Sequence, residues 1–253
     1  MTLHPYFITI FKMKAQDFYL QQLQYIFDRE VSEPPWYRHP EEEDPFEEDP
    51  LKTFEFIENL CQQPKIDLAA YSNAQVGIGL IFIFDSAVSN LAYNFKGANV
   101  PIKRREQALH NLFNLFSDIF NERCEAISSA FSNEHSTKIQ YICYMFWDVC
   151  ALSTWMDFTG INTKDIVAEV QRRYANIENE TGIYYKAIAS VMQRCLGLSN
   201  PACVESGLHG LGHLATFLPE IAVPIIDRFL AAQKDKHSPL ANYAQLARTG
   251  MIL

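Results

Sequence analysis

Three side chains that can ligate a metal fall at successive i+4 positions in one stretch: Glu205, His209 and His213. On a helix that spacing sets them in one row, roughly a third of a turn away from the apolar residues Val204, Leu208 and Leu211, so all three can face one groove. Imidazole and carboxylate are ligands for zinc and its first-row neighbours. A metallopeptidase helix, however, carries a glutamate base between its two histidines, and here the intervening residues are Gly210, Leu211 and Gly212. The expectation is therefore that the histidines serve helix packing and hydrogen bonding, with no metal and no cofactor; the Glu205, His209 and His213 row is the alternative.

A second constellation is aromatic. Asp148 and Asp157 stand beside Trp147 and Trp155, and a carboxylate held in an aromatic wall is a candidate acid or base with a raised pKa. Nucleophilic chemistry has no footing, because the chain holds neither a G-x-S-x-G elbow nor a glycine-rich phosphate loop. The six cysteines contain no C-x-x-C and read as buried free thiols of a reducing cytoplasm.

The third constellation is charge. The chain carries 30 acidic and 21 basic residues, a formal net charge of −9, and seven of the acids lie between Glu41 and Pro50 with no base among them. The stretch VSEPPWYRHPEEEDPFEEDP, residues 31–50, is too rich in proline for a helix or a central strand and reads as a long loop. Trp36, Tyr37 and Phe46 are large apolar groups within it. They either pin the loop to the body or anchor a partner. With Glu41, Glu42, Glu43, Asp44, Glu47, Glu48 and Asp49 they form a candidate surface for a basic protein partner: carboxylates steer association and aromatics hold it.

The elements that must position these groups are helices. Hydrophobic residues make up 48% of the chain and glycines number only 10, which favours an ordered all-α domain over a many-turned β architecture. Residues 13–29 form a first helix with Tyr19, Leu23, Ile26 and Phe27 on one side. Asp49 caps a helix opening at Pro50 with Phe54, Ile57 and Cys61 as its stripe. Ser72 and Gln75 form a capping box, and Leu80, Phe84, Ala87, Val88, Leu91 and Phe95 extend that helix to Gly97. Pro101 opens a helix whose stripe runs from Leu109 to Phe120, and residues 138–154 form one apolar on nearly every side.

Further helix starts fall near residues 163, 182, 201, 219 and 239, close to every twenty residues. Asn200 before Pro201 and Ser238 before Pro239 are caps, Pro219 opens the helix between them, and Gly197 and Gly250 are terminators.

The segment NPACVESGLHGLGHL and the VPIIDRFL that follows resemble a HEAT-type repeat, in which antiparallel helix pairs stack along a superhelix. The same segment is similar to C-terminal stretches of a group of bacterial proteins carrying LHGLGH, a helix with ID-FL, and then YA--A--G; that resemblance implies a fold and no activity. HEAT-like architecture implies one all-α domain over 1–253: an N-terminal helix (1–30), the acidic loop (31–50), a bundle-like half (51–160) and HEAT-like pairs (161–253). HEAT-type folds include DNA glycosylases that use an aromatic cleft and one carboxylate. Those need a basic surface to hold phosphates, and an acidic chain with only Lys103–Arg105 as a basic cluster argues against nucleic acid.

No membrane span is expected: the longest apolar run, Val76–Phe84, is too short, and residues 1–12 lack the features of a secretory signal. The sequence thus points to a non-enzymatic cytoplasmic module that binds a basic protein, of the immunity-protein kind. The alternative is a metal-dependent or glycosylase-type enzyme.

Overall fold

A computed structural model describes residues 18–38, 49–97, 99–126, 137–152 and 180–252. Every regular element among them is a helix, so the all-α class holds. Helix α1 covers 18–27, and a short 3-10 turn, Trp36–Arg38, follows. Then come α2 (Pro50–Gln62), α3 (Pro64–Asp67), α4 (Asn73–Phe84), α5 (Leu91–Gly97), α6 (Ile102–Asn114) and α7 (Lys138–Val149). The C-terminal run is α8 (Glu180–Cys195), α9 (Pro201–Phe217), α10 (Pro219–Ala232) and α11 (Pro239–Arg248). The helix expected over 163–177 lies outside the described residues.

The helix starts carry the expected chemistry. Asp49 accepts from the amides of Leu51 and Lys52, and Ser72 and Gln75 close a complete capping box. Asn200 accepts from Ala202 N and Ser238 from Ala241 N, each ahead of a proline in the first turn. Gly250 adopts φ +72°, a conformation that L-residues with a side chain rarely take. Gly197 follows the end of α8 without a positive φ.

Helices α4 and α7 end short of the expectation. The run expected to continue to Gly97 breaks at Asp85, whose backbone turns extended and forms an isolated antiparallel bridge with Cys150. Polar side chains take over the backbone there. Asp85 Oδ1 accepts from Ala87 N at 2.8 Å, the Ser89 hydroxyl donates to Phe82 O, and Ser86 N donates to Val149 O at 3.0 Å. Helix α7 correspondingly ends at Val149 and not at residue 154. The bridge ties the end of α4 to the end of α7, and so holds the turn that carries Asp148.

The centre belongs to α4, buried continuously from Val76 to Phe84, which packs along α7. Helix α6 continues through a π turn, Leu115–Phe120, before Asn121–Arg123. That turn lays Phe116 flat on the Trp147 indole, with ring centroids 5.4 Å apart and planes at 3°. Helix α9 is the hub of the C-terminal half and packs against α7, α8, α10 and α11. All six cysteines are buried with free thiols. Among the described residues no helix is long and apolar enough to cross a membrane.

Candidate metal centre

The sequence set two constellations apart, and the fold merges one residue of the first pair with two of the row. Among the described residues, Asp148 on α7 and His209 and His213 on α9 bring their ligand atoms within 4.8 Å of one another. His209 Nε2 lies 3.1 Å from Asp148 Oδ2 and 3.1 Å from His213 Nε2, and His213 Nε2 also contacts Asp148 Oδ1. Glu205 is not a member of this cluster: it sits one helical turn deeper on α9 and is only 5% exposed. The carboxylate that completes the row therefore comes from another helix. Asp157 and Trp155 lie outside the described residues.

The two glycines between the histidines act as spacers. A Cβ at Gly210 would meet Trp147 Cγ at 2.6 Å and Met192 Cε at 2.8 Å, so only a bare α-carbon lets α7 come this close beside Asp148. A Cβ at Gly212 would meet Ile252 Cδ1 at 2.6 Å and Ala247 Cα at 3.1 Å, which opens the opposite side of α9 to α11. Ser206, fully buried, adds a hydrogen bond to Cys143 O at 2.5 Å and fixes the depth of α9 against α7.

Around His209 the second layer is aromatic and polar at once. Its ring is fully buried, with the Tyr144 ring 4.6 Å away, and its Nδ1 lies 2.6 Å from the Tyr243 hydroxyl. Tyr243 in turn pairs with Tyr144, oxygen to oxygen, at 3.1 Å. Burial pushes the Tyr243 phenol up, and the Tyr144 hydrogen bond adds to this, so both groups stay neutral. For Asp148 burial also works upward, but hydrogen bonds from His209 and His213 and their charge outweigh it and hold the carboxyl well below the usual range. The site opens outward: the side chains of Asp148 and His213 are 25% and 39% exposed.

This arrangement can hold one cation. Two ligand atoms each about 2.1 Å from a single ion, in tetrahedral or octahedral geometry, stand about 3.0–3.4 Å apart; the two 3.1 Å separations from His209 fall in that interval, while His213 Nε2 and Asp148 Oδ1 stand closer than it. Spacing alone signalled the histidines. Asp148 was visible as a carboxylate but not as their partner, and neither Tyr243 nor Tyr144 was singled out, because the contacts that assign them cross between helices.

Of the residues expected to bind a partner, Trp36, Tyr37 and Asp49 are among those described, and none belongs to this cluster. Trp36 is only 6% exposed and packs on Phe82, Tyr25 and Tyr37, and Tyr37 stacks on Phe82. These contacts pin Trp36 to the body of the chain. Asp49 is engaged as the cap of α2. Glu41, Glu42, Glu43, Asp44, Phe46, Glu47 and Glu48 lie outside the described residues. No protein-family model, no curated protein and no solved structure matches this chain.

Proposed function

We propose that the chain is a metal-dependent protein, with Asp148, His209 and His213 holding one divalent first-row cation. The convergence of two imidazole nitrogens and a carboxylate, with His209 Nε2 3.1 Å from each of the other two groups, carries this reading. Two histidines and one carboxylate suit Zn²⁺, Fe²⁺ and related ions, and three protein ligands leave coordination positions for water or substrate. Those positions fall on the side where Asp148 and His213 are exposed. An ion bound there lowers the pKa of its water and polarises an oxygen ligand, which makes metal-assisted hydrolysis the reaction class that fits best. This is the enzyme alternative of the sequence, with Asp148 standing where Glu205 was expected.

The test is metal content of protein purified without chelator, followed by Co²⁺ titration of the stripped chain. One equivalent per chain is expected, with Asp148→Ala and His209→Ala each abolishing it. A wild-type chain that takes up no Co²⁺ at micromolar concentration overturns the reading.

A second reading keeps the chain as a cytoplasmic, immunity-type module for a basic protein. The seven carboxylates between Glu41 and Pro50 favour it, since such a density attracts a cationic surface. Replacing Glu41, Glu42, Glu43, Glu47 and Glu48 by Gln should then remove salt-sensitive association with a basic protein, and unchanged association would exclude it. The succession of α8 to α11 across short turns supports HEAT-like pairing in the C-terminal part. Six buried free thiols suit a reducing compartment.

A further inference from the structure

Resting on the metal reading above, we infer that Tyr243 is the positioning residue of the site: its phenol oxygen holds His209 through Nδ1 so that Nε2 is the nitrogen presented to the ion. The Nδ1 to Oη separation is 2.6 Å, and the imidazole plane lies within 11° of the phenol plane. His209 is fully buried, so neither its ring orientation nor its tautomer is set by water. Tyr243 stands on α11, brought close to α9 by the bare face of Gly212 against Ala247.

A phenol does something here that a carboxylate or carbonyl does not. Ligating histidines commonly give their second N–H to an acceptor that can only accept. A phenol both donates and accepts, so it serves either tautomer of the ring. Without metal, these distances admit a neutral His209 that gives an Nε2 proton to Asp148 Oδ2, with Tyr243 donating to Nδ1 and Tyr144 to Tyr243. With metal, Nδ1–H donates to Tyr243, Tyr243 donates to Tyr144, and the Nε2 lone pair turns to the ion. The hydrogen-bonded row reverses direction and keeps the proton on the imidazole. The Tyr144 ring, 4.6 Å from that of His209, keeps the imidazole from rotating out of line.

The experiment uses Co²⁺ as probe, with visible absorption and ¹⁵N NMR of the histidines. Wild type should bind Co²⁺, and in its Zn²⁺ form His209 should carry its proton on Nδ1, having carried it on Nε2 when metal-free. Tyr243→Phe should lower Co²⁺ affinity about 10- to 100-fold and alter the cobalt spectrum, with helix content unchanged. Tyr144→Phe, which leaves the His209 to Tyr243 bond in place, should lower it by less, and it serves if Tyr243→Phe does not fold. A Tyr243→Phe chain that folds and binds Co²⁺ as tightly as wild type, with the same spectrum, overturns this inference and leaves the metal reading standing. So does a Zn²⁺-bound His209 protonated on Nε2. Failure of wild type to bind Co²⁺ overturns the metal reading itself, and with it this role.

Discussion

Gly210 faces the indole of Trp147 so closely that a methyl group at residue 210 would lie 2.6 Å from Cγ and 2.8 Å from Cδ1 of the ring. Gly210 follows His209 and Trp147 precedes Asp148, so this one contact sets the distance between two candidate ligands on different helices. The indole cannot yield, because Phe116 lies flat against it and Phe146 meets its edge.

Gly210→Ala should accordingly destabilise the fold by about 1–3 kcal/mol, the usual result of overpacking, despite the better helix propensity of alanine. In a chain of this size that is a fall in Tm of about 2–4 °C per kcal/mol, measurable by thermal denaturation. An unchanged Tm would show that α7 and α9 can separate without loss.

Asp148 predicts an acid limb. Its folded pKa is depressed, so the stability it contributes is present above the unfolded value of about 3.9 and is lost as pH falls through the folded value. Urea unfolding of chelator-treated protein should show stability declining below about pH 4, the ordinary aspartate value. In Asp148→Asn that component of the decline should be missing.

Trp36→Ala should behave as a core truncation. With the indole packed on Tyr25, Tyr37 and Phe82, the loss is about 3–5 kcal/mol, read as a lowered denaturation midpoint. A stable variant would return Trp36 to the role of a surface anchor.

Asn200→Ala should destabilise the start of α9 by about 1–3 kcal/mol. The residue caps Ala202 N at 3.0 Å, donates to Cys124 O at 2.8 Å, and is buried. Hydrogen exchange at the first amides of α9 should rise in the same variant.

What the sequence made legible is what depends on neighbours along the chain. The caps at Asp49, Ser72, Asn200 and Ser238 and the left-handed Gly250 are local chemistry, and each lies where it was expected. The break at Asp85 was hidden because its apolar neighbours keep helical period on both sides, while the interaction that ends the helix comes from Cys150 and Val149. The candidate site followed the same division. His209 and His213 announce themselves four residues apart, whereas Asp148 lies 61 residues from His209 and Tyr243 34. Gly210 and Gly212 looked like the absence of a base, and their use as clearance between helices depends on partners that no spacing rule supplies.

The 61-residue separation also sets an order of assembly. Two of the three candidate ligands are in place as soon as one turn of α9 forms, and the third arrives only after a long closure whose entropy must be overcome by docking α7 against α9. An unfolded chain therefore already holds a histidine pair that a cation can occupy whenever that turn flickers into helix. On the metal reading, added metal binds at both ends of the unfolding equilibrium, and the rise in melting temperature it produces falls short of what its affinity for the folded chain alone would dictate.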